Sequence, residues 1–259
     1  MERWMSRLAR QHQVMRRCHP KESLIVVFDI DDTILDLRHM ILNVLTSFDH
    51  CHETGYFQDL SVDDIGVGEM EVHRLMAGLC MPEREKRKIL QWFTAHAWSN
   101  SVVRCAHQPF PGAMEVIRWL QVQENTYVGL NTGRIEPIRK ETLLSLNAIG
   151  QAHGVFFRND LLFMNRYGWG ERVVESKVQG MRYFQRQGLR IVGFMDNEPE
   201  NLRAVAEFDH AGRILLLHAD TVYSSDKNMV PDHAVSGRVY DIAALVHEGA
   251  REHELGEAA

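Results

Sequence analysis

The chain has 259 residues, of which 45% are hydrophobic and 25% are charged, and this composition excludes a largely disordered protein. Its formal net charge of -6 argues against a general nucleic-acid-binding protein, because such proteins usually carry a basic face. No apolar run approaches the ~20 residues that a membrane-spanning helix needs. We therefore expect no nucleic-acid partner and no membrane partner.

The cysteines are far apart in the sequence and form no CxxC pair, so the sequence indicates neither a zinc knuckle nor a disulfide framework. The run His50-Cys51-His52 lacks a second pair of ligands at a usable spacing, and we interpret it as exposed helix residues rather than a metal site. This use of cysteine fits the cytoplasm best. The four cysteines are Cys18, Cys51, Cys80 and Cys105.

The N-terminal segment, residues 1–21, is rich in arginine but lacks the apolar stretch of a secretory signal. A transit peptide is the less favoured alternative for this composition. We expect a solvated, partly helical extension.

The first predicted strand is the apolar run from Leu24 to Phe28, which leads directly into an Asp-x-Asp-x-Thr turn. A short apolar run rich in β-branched residues predicts a buried parallel strand, with Asp29 and Asp31 at its carboxyl end. Ligands bind at that edge of open α/β sheets. Two carboxylates there can hold a divalent metal, and one can attack an electrophile while the other transfers protons. These features predict an enzyme.

The remaining elements follow in two blocks. Residues 36 to 105 show helical periodicity and no strong strand. After the Pro- and Gly-rich run at 108–112, which marks a boundary, helices and strands alternate. The predicted helices are 113–122, 137–146, 177–187 and 199–208, and the predicted strands are 127–131, 155–157, 191–195 and 214–217.

This alternation predicts an α/β fold, a Rossmann-like parallel sheet with helices on both faces plus an inserted α-helical segment. The predicted core comprises residues 22–36 and 106–259, and the insertion comprises residues 37–105. Trp92, Phe93 and Trp98 have helical spacing, which favours the core of the insertion over a substrate pocket. His96 and His107 could contact a substrate, but isolated histidines carry little information.

Polar residues follow several predicted strands. The first strand ends at Asp29 and Asp31, the second at Asn131-Thr132-Gly133-Arg134, and a later one at Asp196. The run Ser176-Lys177-Val178-Gln179 has the pattern of a capping box, which predicts Ser176 as the N-cap and Lys177 in the first helical turn. In βα units these positions meet at one edge of the sheet.

The three aspartates would repel one another unless a cation neutralised them. Mg²⁺ prefers oxygen ligands and usually binds one or two carboxylates together with waters and a phosphate. A lysine and the donors of Thr132 and Gly133 suit phosphate oxygens. The expected site therefore binds Mg²⁺ and a phosphoryl group.

Together these motifs resemble the haloacid dehalogenase-like (HAD) superfamily across residues 22 to 248. The four motifs occur in order: DIDDT at 29–33, a hydrophobic strand ending in Thr132, a lysine at Lys177, and DNEPE at 196–200. The resemblance also implies that the insertion is a helical C1-type cap that closes over the site and selects the substrate.

The resemblance implies a role for each matching residue. Asp29 is expected to be the nucleophile that forms an aspartyl-phosphate, and Asp31 the general acid and then the base. Asp29, Asp196 and the backbone carbonyl of Asp31 are expected to bind Mg²⁺. Thr132 and Lys177 are expected to hold the phosphate.

Alternatives remain for two positions. Glu200 stands where many relatives have aspartate, so either it or Asn197 could supply a further metal ligand. Arg172 and Lys140 compete with Lys177 for the lysine motif. Asp29 and Asp31 could also serve only to cap a helix, because aspartate favours that position.

The function implied by the resemblance is a Mg²⁺-dependent phosphatase that hydrolyses a small phosphorylated metabolite. A phosphotransferase or phosphomutase would share the same core residues. A non-catalytic binding or regulatory protein of the same fold is the alternative from another class, and it would be expected to have a damaged nucleophile or metal site. The fold alone does not separate these functions.

Overall fold

The computed structural model describes residues 4–66, 71–222 and 227–248. The strands in this part of the chain are β1 (Leu24–Phe28), β2 (Leu35–Asp36), β3 (Gln108–Pro109), β4 (Thr126–Ile135), β5 (Leu162–Asn165), β6 (Arg190–Asp196), β7 (Leu215–Ala219) and β8 (Val235–Gly237). The α-helices with defined bounds are α1 (Trp4–Cys18), α2 (Leu37–His52), α3 (Glu71–Gly78), α4 (Glu83–His96), α5 (Asn100–Cys105), α6 (Ala113–Gln121), α7 (Arg139–Gln151), α8 (Val173–Arg186) and α9 (Pro199–Phe208), and residues 242–248 are also helical.

Six of these strands form one parallel sheet in the order β5-β4-β1-β6-β7-β8. The central strand β1 is buried along its whole length, as its unbroken apolar sequence predicts. Two large apolar clusters contain alternate β1 residues, with Leu24 and Val26 in one and Ile25 and Val27 in the other. The prediction of an α/β fold with a Rossmann-like parallel sheet is confirmed.

Helix α1 is part of the core, so the expectation of a solvated extension is wrong for residues 4–18, although they are helical as predicted. The helix packs against β6, β7 and β8. The indole of Trp4 donates a hydrogen bond to the carbonyl of Val239 (2.7 Å). The arginines that suggested a solvated segment lie among buried apolar residues at helical spacing: Trp4, Met5, Leu8, Ala9 and Met15.

The strand predicted at 155–157 is also wrong, because the strand that pairs with β4 is β5, further along the chain. The backbone amides of this segment are bound elsewhere, Val155 to the carbonyl of Gly150 and Phe157 to the side chain of Asn147. Phe156 is 65% exposed, so the apolar run does not lie inside the sheet.

The helices α2 to α5 lie between β2 and β3, which form a short antiparallel pair. They pack around an apolar cluster of their own, and Trp92, Phe93 and Trp98 pack against it partly buried. The division of the chain into core and cap remains a prediction. The predicted domains include residues 1–3, 67–70, 223–226 and 249–259, which lie outside the described residues. His50, Cys51 and His52 are exposed at the end of α2, as predicted. No helix in the described ranges is long and apolar enough to cross a membrane.

Candidate active site

The register of the sheet brings three polar residues to the same level. Phe28 of β1 pairs with Leu130 of β4 on one side and with Met195 of β6 on the other. The residues that follow are Asp29, Asn131 and Asp196, all of them buried. The amide of Asp29 donates a hydrogen bond to the carbonyl of Met195 (2.8 Å), which holds the chain in place just beyond β1.

A tight turn follows Asp29. The amides of Ile34 and Leu35 both donate to the carbonyl of Ile30 (2.8 and 2.9 Å), and Asp32 takes a positive φ of 56°. Aspartate tolerates this left-handed conformation better than most residues. The turn directs the chain back toward β2 and α2.

Helix capping accounts for other aspartates than Asp29 and Asp31. Asp36 is the N-cap of α2 and accepts from the amide of Arg38, while Asp32 accepts from the amide of Leu37 (3.2 Å). Burial, and then the neighbouring Asp31, raise the pKa of Asp32 well above its usual range. The capping alternative therefore describes Asp32 and Asp36, and it leaves Asp29 and Asp31 without a capping role.

Lys177 connects the two buried carboxylates. Its Nζ donates to Oδ1 of Asp29 (2.5 Å), to Oδ2 of Asp196 (2.7 Å) and to the carbonyl of Asn131 (2.8 Å). The side chain is only 2% exposed. Burial lowers the pKa of Lys177, but the charges and hydrogen bonds of Asp196 and Asp29 outweigh it and raise that pKa. Lys177 is therefore a buried cation in direct contact with the carboxyl groups of both Asp29 and Asp196.

The predicted start of the helix that carries Lys177 is wrong, although the lysine reaches the predicted place. Helix α8 begins at Val173 with Arg172 as its N-cap, so Ser176 lies inside the helix and Lys177 in its second turn. The two competing cations lie elsewhere. Arg172 forms an ion pair with Glu175, and Lys140 is exposed on α7.

Asp196 is held by its own segment of chain. The side-chain amide of Asn201 donates to both carboxylate oxygens (3.1 and 3.2 Å), and the amide of Glu198 donates to Oδ1 (2.9 Å). Of the two alternatives for a further ligand, Asn197 is buried and accepts from the hydroxyl of Thr33 (3.3 Å), whereas Glu200 is exposed.

Asp31 lies against Arg134, which sequence reasoning named within a motif but gave no role. Nε and Nη2 of Arg134 donate to the two oxygens of Asp31 (2.8 and 2.6 Å). Burial on its own raises the pKa of Asp31, but the charge and hydrogen bonds of Arg134 outweigh it, and the pKa lies below its usual range. The run Asn131-Thr132-Gly133-Arg134 was the available signal, but it does not show which partner the arginine takes.

The Asp29 carboxyl has the opposite shift. Burial raises its pKa, Lys177 opposes that effect, and the charges of Asp196 and Asp31 raise the pKa further, to about 8. The negative charge at this point is thus only partly compensated by the protein.

Thr132 and Gly133 lie one and two residues beyond Asn131 on β4. The hydroxyl of Thr132 accepts a hydrogen bond from the amide of Arg134 (3.2 Å), and an accepting hydroxyl keeps its own proton as a donor. Among the described residues, neither makes a hydrogen bond with Asp29, Asp196 or Lys177. Their predicted contact with a phosphate stays a prediction.

The donor set fits Mg²⁺. Oδ1 of Asp29 accepts a hydrogen bond from Lys177, whereas Oδ2 accepts none within the described residues. Asp29, Asp31 and Asp196 carry three negative charges when ionised, against the two positive charges of Lys177 and Arg134. No cluster of three or more metal-binding His, Cys, Asp or Glu side chains occurs in the described part of the chain. Mg²⁺ often takes only one or two carboxylates, so Asp29, Asp196 and one backbone carbonyl suffice.

Solved structures share this architecture. The chain resembles a haloacid dehalogenase-like hydrolase from Streptococcus pneumoniae (12% identity, TM-score 0.51, 86% of this chain and 98% of that one). It also resembles a phosphatase candidate from Clostridium difficile (12% identity, TM-score 0.54, 87% of this chain and 99% of that one). A third similar structure is a β-phosphoglucomutase candidate from Thermotoga maritima (14% identity, TM-score 0.52, 87% of this chain and 99% of that one). No family model and no curated protein matches the sequence. The chain has the haloacid dehalogenase-like fold.

Proposed function

We propose that the protein is a Mg²⁺-dependent phosphatase that hydrolyses a small phosphorylated metabolite through an aspartyl-phosphate at Asp29. The observation that carries this proposal is the buried contact of Lys177 with both Asp29 and Asp196 at the carboxyl edge of the sheet. A buried lysine between two carboxylates suits a site where a phosphoryl group must be held and its charge balanced. The proposed setting is the cytoplasm.

In the first step, an oxygen of Asp29 attacks the phosphorus of the substrate. The Asp29–phosphorus bond forms as the bond to the leaving oxygen breaks, and that oxygen takes a proton from Asp31, which must carry the proton at this step although Arg134 holds its pKa below the usual range. In the second step Asp31 takes a proton from water, whose oxygen attacks the phosphorus and releases Asp29 and phosphate. Lys177 keeps Asp29 oriented, and the Thr132 hydroxyl and Gly133 amide bind phosphate oxygens.

Asp29, Asp196 and the backbone carbonyl of Asp31 are the residues that would hold Mg²⁺. When bound, the ion supplies positive charge that stabilises the phosphoryl transition state. Its two positive charges also offset the excess of carboxylates in the site.

Phosphate release from a panel of phosphorylated metabolites and from an aryl phosphate, with Mg²⁺ or with a chelator, tests this function. We expect release only with Mg²⁺, and a loss of at least about 10³-fold in Asp29→Asn, since the nucleophile is removed. Asp160→Asn is the matched control, because Asp160 is an exposed partner of Arg158. Equal rates in wild type and Asp29→Asn would contradict the proposal. Transfer of phosphate to an added hydroxyl instead of water would indicate a phosphotransferase.

A further inference from the structure

Arg134 is the largest fully buried side chain in the described part of the protein, and its guanidinium contacts several side chains. Besides the paired contacts to Asp31, Nη1 donates to the hydroxyl of Thr142 on α7 (3.3 Å). Nη2 also lies 3.1 Å from Nε2 of His107. An arginine fork that pairs with both oxygens of a carboxylate fixes its orientation as well as its charge.

His107 receives the guanidinium as a neutral acceptor. Its Nδ1 lies 2.8 Å from the carbonyl of Val103, so Nδ1 carries the proton and Nε2 is free to accept from Arg134. Burial, and then the charge of Arg134, lower the pKa of His107 to about 4. The imidazole therefore stays uncharged beside the arginine at neutral pH.

A further contact with the guanidinium comes from an aromatic side chain of the helical insertion. The guanidinium carbon of Arg134 lies 5.3 Å from the centroid of the Trp98 ring, within the range of a cation–π contact. Trp98 in turn stacks on Trp169 with centroids 4.6 Å apart. Trp98 connects α4 to α5, and Trp169 connects β5 to α8. A residue of the insertion thus contacts Arg134 and stacks on a residue from the loop after β5.

We propose that Arg134 is a positioning residue that fixes the carboxylate of Asp31 for proton transfer, and that Trp98 and His107 hold the guanidinium in the required place. This role rests on the proposed function, because Asp31 has protons to transfer only if the site performs that reaction. An exposed ion pair would orient little, since its partners remain mobile. Here the guanidinium is enclosed and the carboxylate has a single orientation that satisfies both hydrogen bonds.

Trp98 and His107 also connect the helical insertion to the residue that transfers protons. Trp98 and His107 both lie where the chain returns from the helical insertion to the sheet, and both contact the group that orients Asp31. A displacement of the insertion would alter these contacts and with them the position of Asp31. The insertion would then act on proton transfer as well as on access to the site.

The test is a double-mutant cycle on turnover of the best phosphate ester, with wild type, Arg134→Met, Asp31→Asn and the double variant. We expect Arg134→Met to lower kcat by about 10²-fold, because displaced catalytic groups cost that much, and to change KM less than about threefold. In the Asp31→Asn background the same change should cost less than about twofold, because Arg134 acts through Asp31.

Two further variants guard against trivial outcomes. Arg158→Met is the matched control, because Arg158 is exposed and pairs with the exposed Asp160, and we expect its kcat to stay within about twofold of wild type. Arg134→Lys keeps the charge and loses the fork, so we expect a kcat between those of wild type and Arg134→Met. If Arg134→Met does not fold, as circular dichroism would show, the cycle is measured with Arg134→Lys.

Three results would overturn the inference: an unchanged kcat in the Arg134 variants, losses that multiply in the double variant, or a raised KM with unchanged kcat, which would assign Arg134 to substrate binding. In each of these cases the wild type still hydrolyses the ester. A wild type without Asp29-dependent hydrolysis would instead contradict the proposed function, and the role of Arg134 would fall with it.

Discussion

Lys177 supplies the positive charge beside two buried carboxyl groups. Asp29 and Asp196 are both almost completely buried, and a buried carboxylate without a partner carries a large desolvation cost. The ammonium group contacts both, and its third hydrogen bond goes to the carbonyl of Asn131. One lysine therefore contacts both carboxyl groups, so its removal takes away the positive charge that neighbours both of them.

We predict that Lys177→Met lowers the free energy of unfolding by about 3–5 kcal/mol, the usual cost of removing one partner from a buried ion pair. Urea unfolding without added metal measures this change. Lys140→Met is the control, because Lys140 is exposed on α7, and its effect should stay within about 0.5 kcal/mol. Equal stabilities of the two variants would show that the carboxylates do not depend on Lys177.

The sequence predicted that Asp29, Asp196 and Lys177 would meet, since strand ends and a helix start share one edge of a parallel sheet. It did not predict the partner of Asp31. Arg134 is 103 positions away in the sequence, and whether its side chain turns toward the site or toward solvent depends on packing with His107 and Trp98. Asn201, which holds Asp196, was also missed, although it lies only five positions away in the sequence.

At the scale of elements, the close approach of α8 to β4 determines where Lys177 lies. The side-chain amide of Asn131 donates to the carbonyl of Lys177 (2.8 Å), and the helix passes the strand at Gly180. A Cβ at Gly180 would lie 2.4 Å from Oδ1 of Asn131, far inside van der Waals contact. Glycine is therefore required at this crossing by space rather than by backbone conformation.

We predict that Gly180→Ala destabilises the protein by about 1–3 kcal/mol, the usual cost of overpacking, and lowers phosphatase turnover, because α8 must move away from β4 with Lys177. Thermal unfolding and phosphate release measure the two effects. Gly78→Ala is the matched control, since it is also helical, nothing lies within 4 Å of its added Cβ, and alanine favours helices by about 0.5–1 kcal/mol. A Gly180→Ala protein as stable as the Gly78→Ala protein would refute the close approach.

The errors at this scale have a common cause. Local patterns identified β1, β4, β6 and β7, whose apolar runs are long enough to be unambiguous. The first and last residues of the apolar run at 155–157 are buried, but the run pairs with no strand of the described chain. Sequence alone cannot show that β5 takes the place beside β4. The capping pattern at Ser176 is likewise satisfied in sequence but lies within a helix that begins earlier, at Val173.

At the scale of the whole molecule, α1 joins the two ends of the described chain. It packs on the sheet beside β8, and the Trp4 ring fills the space next to Gly237, where a Cβ would lie 2.2 Å from the ring. His12, on the same helix, is buried with Nε2 2.9 Å from the hydroxyl of Thr126 at the start of β4. The helix is thus held by apolar contacts along its length and by hydrogen bonds that include those of Trp4 with Val239 and of His12 with Thr126.

We predict that His12 makes stability depend on pH. Burial, and then the charge of Arg16, lower its pKa from 6.5 to about 4, so folding favours the neutral form. The contribution of neutral His12 to the free energy of unfolding is complete above pH 6.5 and is lost as the pH falls toward 4. The loss between pH 7 and pH 5 is about 2 kcal/mol. Urea unfolding at both values should show a smaller decrease for His12→Gln than for wild type, and an equal decrease would contradict the buried position of His12.

In the proposed mechanism Asp29 becomes phosphorylated, and trapping that intermediate tests the mechanism. Enzyme that is turning over a phosphate ester with Mg²⁺ is quenched in acid and treated with borohydride, which reduces an aspartyl-phosphate to homoserine, and the peptides are analysed by mass spectrometry. We predict homoserine at position 29 and at no other aspartate, and none when substrate is left out. Active enzyme with no homoserine at position 29, or with homoserine at Asp31 or Asp196 instead, would contradict the proposed mechanism.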